Sequence, residues 1–378
     1  NFSKSSVFRT CSRFATLLVL GGLLGCIEPT RPTFQIEDGF YLVEGRILAG
    51  EAAGEIRIRA SNFREVNLEF EAIANASVIA VEAGGTTVSW MQGFEEGRYI
   101  PPPSTIVNPG ETWHFEITLP DGTQVSSAPE TIPEPITVND LTIQFEQNSF
   151  FDDGLRRFVP RFELYLDFED PADQKNFYAY DYRYWEEIVI CARCENGRWR
   201  NGECVPNQSG NFIRRFDYLC DTDECFTIKE GNETLFGTDD FFNGNSINGF
   251  PLGGIVFEAY GGMLVEGIVY SITQEAFEYG EVIQDLVDGN TGLNPTIPAA
   301  LVGNVKNEDT EGREVLGFIS AASAASAKAF IDRTTETGSP LPFDNNIRLE
   351  PVPQPGVPPR APCDIPGFRS SVRPVGWP

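Results

Sequence analysis

Short runs of alternating apolar and polar residues dominate the first third of the chain. Ile56 and Ile58, for example, alternate with Arg57 and Arg59. A period of two places alternate side chains on opposite faces of a strand, so each run has one face that packs on a core. Runs of this kind lie at Phe40–Leu48, Glu55–Ala60, Val66–Glu71, Ser77–Val81, Thr86–Met91, Thr112–Leu119 and Thr123–Ser127. Seven short strands within about 90 residues predict a small β-sandwich, of Ig-like or transthyretin-like type.

The composition favours a mainly β protein with two domains. A chain of 378 residues is long enough for two cores of ordinary size. It contains 29 Phe, 11 Tyr and 5 Trp but only 2 Met, a balance that suits sheets better than helical bundles. Its 36 Gly and 27 Pro are typical of many short strands joined by turns. We therefore expect an N-terminal sandwich and a larger β-rich second domain.

A proline-rich break separates the two predicted domains. Pro129, Pro133 and Pro135 lie within PETIPEP, and proline removes amide donors and stiffens the chain, as in a linker. The predicted segments are a lipoprotein signal peptide at 1–25, a lipidated tether at 26–38, the N-terminal β-sandwich at 39–128, the Pro-rich linker at 129–138, the β-rich C-terminal domain with disulfide-stapled loops at 139–350, and a Pro-rich tail at 351–378.

The second domain is predicted to combine long strands with one conspicuous helix. Ser271 and Gln274 have the spacing of a capping box. Apolar residues then recur at helical spacing, which predicts a helix over about 272–288. The segment from Cys191 to Cys225 is rich in Asn, Gly and Asp and is predicted to be loop-like. Strands are predicted at Leu141–Phe145, Phe162–Phe168, Phe177–Cys191 and Gly262–Tyr270.

The first residues of the chain indicate export. Basic residues within 4–13 precede an apolar run that ends in Leu23–Cys26, LLGC. The run has the length of a signal-peptide core, about 12 residues, and is too short to span a bilayer as a helix. Its ending resembles the lipobox of bacterial lipoproteins, in which the Cys thiol receives diacylglycerol and the preceding peptide is removed. The resemblance implies that Cys26 is lipidated, and an ordinary secretory signal is the alternative.

Charge and cysteine content exclude one class of partner and indicate disulfides. The formal net charge is −27, and so acidic a surface repels nucleic acid. An even number of downstream cysteines in an exported chain is typical of disulfides, with 15 connectivities open to six residues. A zinc site is the less favoured alternative for the Cys-x-x-Cys pair. The disulfide candidates are Cys191, Cys194, Cys204, Cys220, Cys225 and Cys363.

The sequence favours a protein that is not an enzyme. His114 is the single histidine and lies in an alternating run, and the chain has no nucleophile elbow or phosphate-binding loop. No cofactor is expected. Calcium is a weak alternative, because its oxygen ligands are abundant in two acidic clusters. These clusters are Asp167, Glu169, Asp170 and Asp173, and Asp221, Asp223 and Glu224.

Two aromatic segments are candidates for ligand or partner binding. The run Phe177–Trp185 is interpreted as a buried core strand in preference to a stacking surface for sugars or peptides. Residues 231–254 carry isolated aromatic residues among many Gly and Asn, which predicts anchors on a binding loop. The alternative is that these rings fill a core beneath the loop. The predicted anchors are Phe236, Phe241, Phe242 and Phe250.

Several motifs occur together in the order found in one family. They are the lipobox with CIEP at 26–29, YLVEGRI at 41–47, Asp170-Pro171 followed by Asn176-Phe177-Tyr178, SITQEAFEY at 271–279, LVGNVKNEDTEGREVLGFISAAS at 301–323 and VRPVGW at 372–377. With them the chain resembles the Bacteroidota outer-membrane lipoproteins of the domain-of-unknown-function family 4249. The resemblance implies β structure for Gly317–Ser323, although the alanine-rich composition of Ser320–Phe330 favours a helix.

The resemblance also implies a location and a biological setting. It implies a lipid-anchored outer-membrane protein on the cell surface. Genes of the family commonly lie beside TonB-dependent transporters of the SusC type, and no catalytic residues or substrate are defined for it. We therefore expect a non-enzymatic accessory protein that docks on such a transporter in nutrient capture or hand-over. A structural or adhesive surface lipoprotein with no transport role is the alternative.

Overall fold

Strands predominate in the structure, as the alternating runs predict. The computed structural model describes residues 39–51, 54–64, 67–172, 174–193, 197–201, 203–206, 218–220, 224–231, 234–289, 303–336, 338–351 and 363–378. The predicted signal peptide, Cys26 and the tether lie outside these residues. Residues 39–378 form one compact unit, which is mainly β with a single α-helix in its described part.

The predicted N-terminal sandwich is present. Its strands are β1 Tyr41–Leu48, β2 Gly50–Glu51, β3 Gly54–Arg64, β4 Asn67–Ala72, β5 Ser77–Glu82, β6 Thr87–Gln92, β7 Arg98–Ile100, β8 Ile106–Val107, β9 Thr112–Thr118, β10 Gln124–Ser127 and β11 Glu130–Thr131. In one sheet β3 pairs antiparallel with β1, β4 and β7. In the facing sheet β9 pairs with β5, β10 and β11. Ile56 and Phe115 are buried between the sheets, so the register follows the alternation.

A second layered unit follows. Its strands are β12 Thr137–Asp152, β13 Arg157–Glu169, β14 Phe177–Glu187, β15 Val189–Arg193, β16 Gly197–Arg200, β17 Glu203–Pro206, β18 Tyr218–Cys220, β19 Phe226–Glu230, β20 Leu235–Thr238, β21 Ser246–Val256, β22 Gly262–Ile272, β25 Ile319–Asp332, β26 Ile347–Pro351 and β27 Arg369–Ser370. The intervening strands β23 Val305–Asn307 and β24 Val315–Leu316 pair with β10 and β1 of the N-terminal sandwich. The β12–β13–β21 sheet packs on the sheet formed by β14, β22 and β25. The prediction of loop for 191–225 is wrong for β15 to β18, because β15 pairs with β18 and with the distant β26, and β16 forms a hairpin with β17.

The alanine-rich strand β25 connects the two layered units. Its first residues pair parallel with β1, with Leu48 opposite Ala322. The remainder pairs antiparallel with β22, from Ala322 to Asp332. Ala321 and Ala322 are fully buried, and hydrogen bonding to two neighbouring strands overrides the helix propensity of alanine. The prediction of β structure at Gly317–Ser323 is confirmed for Ile319 onward.

The predicted helix is present as α1, Gln274–Gly289. The predicted capping box is wrong, because Ser271 is a buried residue of strand β22. The cap is Thr273, whose Oγ1 accepts a hydrogen bond from the Ala276 amide at 3.2 Å. Ala276 and Phe277 are buried against β14, β22 and β25. The helix therefore lies against the edge of the second unit.

Two large hydrophobic clusters correspond roughly to the two predicted domains. The first joins buried residues from 41–132, and the second joins buried residues from 136–269. Val305, Val315, Ile319 and Ala321, from the far end of the chain, complete the first cluster. A division at 129–138 stays a prediction, and the structure adds that residues 305–321 pack with the N-terminal sandwich.

Candidate functional site

Three of the four aromatic residues predicted as binding anchors are partly buried and pack against hydrophobic clusters. Phe242 and Phe250 contact the second cluster, and Phe236 contacts a smaller cluster that includes Ala276 and Phe277 of helix α1. Phe241 alone projects, with 99% of its surface exposed. Residues 246–256 form strand β21 rather than a loop. The core interpretation therefore applies to Phe236, Phe242 and Phe250, and the prediction of a binding loop with these anchors is wrong.

The turn that carries Phe241 is held by two buried carboxylates. Asp239 accepts hydrogen bonds from the Asn176 amide at 2.9 Å and from Asn243 Nδ2 at 2.8 Å. Asp170 accepts from the Gly244 amide at 2.7 Å and from the Tyr178 hydroxyl. Burial and this hydrogen bond raise the pKa of Tyr178. By accepting these hydrogen bonds, the two carboxylates hold the backbone and side chains of the turn in place, so their role is structural.

The acidic clusters considered for calcium do not form a metal-binding site in the described part of the chain. Asp170, a member of the first acidic cluster, is engaged by protein donors. Glu224 of the second cluster binds Arg373. Asp173, Asp221 and Asp223 lie outside the described residues. Among the described residues no group of three His, Cys, Asp or Glu side chains is placed to hold a metal ion.

His114 and the aromatic strand have ordinary structural surroundings. His114 Nε2 lies 3.7 Å from Glu116 Oε1 on the outer face of β9. On β14, Tyr178, Tyr180 and Trp185 are buried, which confirms the interpretation of this run as a core strand. No described contact joins His114 to a serine or cysteine nucleophile.

The cysteines include one long-range link. Cys225 and Cys363 form a disulfide with Cα atoms 5.7 Å apart and a sequence separation of 138 residues. Cys191 is also disulfide-bonded, so it has no free thiolate for a zinc site. The expectation of three disulfides stays a prediction. The side chains of Cys26, Cys194, Cys204 and Cys220 fall outside those that the structure describes.

A projecting hairpin carries the apolar surface that the sequence analysis missed. Strand β21 pairs with β13 only from Arg161 onward, so residues 150–158, the hairpin tip, pair with each other beyond the sheet. The exposed fractions of Phe151, Leu155 and Phe158 are 51%, 45% and 52%. Asp152 Oδ1 accepts a hydrogen bond from the Leu155 amide at 2.8 Å and shapes the turn. The signal for this hairpin is Asp-Asp-Gly between two Phe-containing runs.

The aromatic residues of the hairpin tip are ordered by contacts with each other. Phe151 and Phe158 lie opposite one another in the register, with ring centroids 5.4 Å apart in an edge-to-face arrangement. The Arg161 guanidinium lies 5.9 Å from the ring of Phe150. Cross-strand aromatic pairs hold their side chains in place on a strand surface. The tip therefore presents a preformed apolar contact surface.

Two cavities flank helix α1, where it faces the N-terminal sandwich. One has a volume of about 680 Å³ and is lined by Glu130, Glu275 and Glu278. Burial, with the nearby Glu275 charge, raises the pKa of Glu130 despite its hydrogen bond from Thr273. The other, of about 440 Å³, lies between β1, β3, β14, β20 and α1. We call this second cavity the helix cleft.

The helix cleft has an apolar floor and a charged wall. Phe236, Ile272, Ala276, Tyr279 and Phe318 form its floor. Its wall is the outer face of β1 and β3, with Asp181 and Glu230 opposite. The charged residues that line it are Glu44, Arg46, Glu55, Arg57, Arg59, Asp181 and Glu230. The cleft is the described cavity that combines charges of both signs with an apolar surface.

The comparisons with known proteins give a family but no activity. The family model described as Domain of unknown function (DUF4249) matches residues 27–328. No curated protein matches the chain. No helix within the described ranges is long and apolar enough to cross a membrane. Because the family model covers most of the chain, the protein belongs to the family of the domain of unknown function DUF4249.

Proposed function

We propose that this protein is a lipid-anchored accessory protein of the cell envelope that docks on a TonB-dependent outer-membrane transporter of the SusC type and helps to capture or hand over a nutrient. Two sequence features support the proposal. The LLGC ending at Cys26 has the form of a lipidation site. The chain belongs to the DUF4249 family, for which the resemblance implies such a partner.

The exposed apolar surface of the hairpin tip supports docking on a protein partner. Its three most exposed apolar side chains, Phe151, Leu155 and Phe158, are about half exposed. Aromatic residues are enriched where proteins bind each other, because they bury a large area at a small entropic cost. The edge-to-face contact of the two rings holds them before binding, which lowers that cost further.

The charges at the tip also suit a protein partner. The chain as a whole is strongly acidic, with a formal charge of −27. The tip instead combines Asp152 and Asp153 with Arg156 and Arg157, so its local charge is balanced. A balanced surface is not repelled by a partner of either sign, and arginine is common in interfaces.

A pull-down from native outer membranes tests the proposal. The variant Phe151→Ser/Leu155→Ser/Phe158→Ser removes the apolar surface of the tip while keeping the turn. We expect intact protein to recover a TonB-dependent transporter and this variant to lose it. The matched control is Phe241→Ser, which removes an exposed aromatic side chain from another turn. The control is expected to recover the transporter as the intact protein does.

Circular dichroism spectra and intact masses of the variants show whether each is folded and carries the same acyl groups as the intact protein. Recovery of the transporter by the folded tip variant would contradict docking through the tip. Failure of the intact protein to recover any transporter, with adhesion or envelope integrity lost in a deletion strain, would favour the structural or adhesive alternative.

A further inference from the structure

The charged wall of the helix cleft contains two satisfied ion pairs. Arg59 binds Glu44 at 2.6 Å and Arg57 binds Glu55 at 3.1 Å. Glu55 also accepts Arg98 at 2.6 Å. The Arg59–Glu44 and Arg98–Glu55 pairs join neighbouring strands, as is common on an exposed sheet face, and the Arg57–Glu55 pair lies within β3. They leave Arg46, Asp181 and Glu230 as the remaining charged groups of the cleft.

Arg46 has no ion pair or hydrogen bond with any residue that the structure describes. Its guanidinium lies 4.5 Å from the centre of the Tyr270 ring. Stacking on an aromatic ring fixes the plane of a guanidinium and leaves its N–H donors free at the edge. Such a fork matches the geometry of a carboxylate, with two parallel hydrogen bonds. Arg46 thus lines the cleft with a guanidinium that lies over the Tyr270 ring.

Two carboxylates face the same space without a cationic partner within 4.0 Å in the described part of the chain. Asp181 accepts a hydrogen bond from the Tyr182 amide at 2.7 Å. A Cβ atom at Gly231 would lie 2.9 Å from Asp181 Oδ1, so the chain passes close to this carboxylate at a residue without a side chain. Glu230 precedes that glycine and is exposed. Asp181 interacts electrostatically with both Arg46 and Glu230. The Arg46 charge lowers the pKa of Asp181 and the Glu230 charge raises it.

The floor of the cleft supplies an apolar surface. Phe236 packs against α1 at Gly280, where a Cβ atom would lie 2.3 Å from the ring. Ile272, Ala276 and Phe318 continue this surface. A cavity of about 440 Å³ is within the usual range for small-molecule sites, about 300–1,000 Å³. It has room for a ligand of the size of an amino acid.

We propose that the helix cleft binds a small zwitterion with an apolar side chain, an α-amino acid or a short peptide. Its carboxylate pairs with the Arg46 fork, its ammonium group with Asp181 and Glu230, and its side chain contacts the floor at Phe236 and Phe318. A purely anionic ligand would meet the two unpaired carboxylates. A purely cationic ligand would leave Arg46 unpaired.

This inference rests on the proposed function: if the protein takes part in nutrient uptake, the nutrient is an amino acid or a short peptide. Ligand binding by the purified protein and transporter recovery from membranes are separate measurements. A failure of one does not imply a failure of the other.

Calorimetry on the purified full chain with L-phenylalanine and L-leucine tests the inference. We expect saturable binding, weakened about tenfold or more by Arg46→Gln and by Asp181→Asn, since each removes one charge-assisted contact. The matched control Arg348→Gln removes the same charge from an arginine that is paired with Asp344 and does not line the cleft. It is expected to bind within about twofold of wild type.

Two ligand controls separate the charges. Phenylacetate lacks the ammonium group and 2-phenylethylamine lacks the carboxylate, and each is expected to bind about tenfold more weakly than L-phenylalanine. Arg46→Lys keeps the charge without the fork and should bind between wild type and Arg46→Gln. No saturable binding of either amino acid up to about 50 mM, or equal losses in Arg46→Gln and Arg348→Gln, would overturn the inference.

Discussion

Buried charges show most clearly how single residues hold this fold. Arg333 is fully buried and pairs with Glu186 of strand β14. Lys229 lies 2.6 Å from the other oxygen of the same carboxylate. Glu186 and Arg333 are separated by 147 residues in sequence. No local pattern reveals such a pair, because burial of a charge depends on what the distant chain places around it.

Removal of Arg333 should destabilise the protein strongly. In Arg333→Met, Glu186 stays buried with Lys229 as its remaining partner, and we expect a loss of about 3 kcal/mol in the free energy of unfolding. Arg348→Met is the control, because its pair with Asp344 is partly exposed and should contribute about 0–1 kcal/mol. Urea denaturation measures both. Equal losses in the two variants would show that burial of the Arg333 pair is unimportant.

Asp181 should make stability depend on pH. Burial raises its pKa in the folded protein to about 6, from an ordinary value of 3.8, although Arg46 acts in the opposite direction. The folded protein therefore holds this proton more tightly than the unfolded chain. The resulting stabilisation is complete below about pH 4 and is lost as the pH rises through about 6.

The substitution Asp181→Asn removes this titration while keeping an acceptor for the Tyr182 amide. We expect the variant to be more stable than wild type at pH 7.5, and the difference to shrink as the pH falls from 6 to 4. Paired denaturation curves across this range measure the difference. A constant difference at all pH values would mean that Asp181 ionises in the folded protein as it does in water.

At the scale of elements, the hydrophobic period predicts strands well and their ends less well. The runs at 55–60 and 112–119 are strands with the expected faces, because one side of each covers a core. Strand β25 required the family resemblance, since alanine favours a helix and only pairing with β1 and β22 explains its extended form. The exposure of the hairpin tip was not predicted, because Phe residues such as Phe151 and Phe158 are typical of buried core strands.

The start of α1 offers a test between the predicted and the observed cap. Thr273→Ala removes the acceptor of the Ala276 amide and the donor to buried Glu130, and we expect a loss of about 1–2 kcal/mol. Ser271→Ala should be nearly neutral, because the Ser271 hydroxyl has no hydrogen-bond partner in the described part of the chain. Chemical denaturation compares them. A larger effect of Ser271→Ala would favour the capping box.

At the scale of the whole molecule, chain order and spatial order differ. Strand β25 joins the sheets of both layered units, and residues 305–321 return to the first core. Composition shifts along the chain cannot reveal such a return, because they report only on neighbours in sequence. The Cys225–Cys363 disulfide likewise joins the C-terminal segment to the second unit. The return of late residues to the first core is visible only once the strands are paired in the sheets.

Lipidation is the prediction that concerns the whole molecule in its cellular setting. Cys26 is expected to carry acyl chains, and a protein with two or three such chains is held firmly at a bilayer. Cys26→Ser should leave the signal segment uncut or release the protein from the membrane fraction. Intact mass spectrometry of the wild type provides the check, and a mature protein without acyl groups would contradict the proposed anchor.

Site-specific crosslinking tests whether the hairpin tip contacts a TonB-dependent transporter in the membrane. A photo-crosslinking phenylalanine analogue is placed at position 151 of the hairpin tip, with position 241 as the exposed control, and irradiated in native outer membranes. We expect an adduct with a TonB-dependent transporter from position 151 and little or none from position 241. Adducts with lipid alone, or equal transporter adducts from both positions, would contradict docking through the hairpin tip.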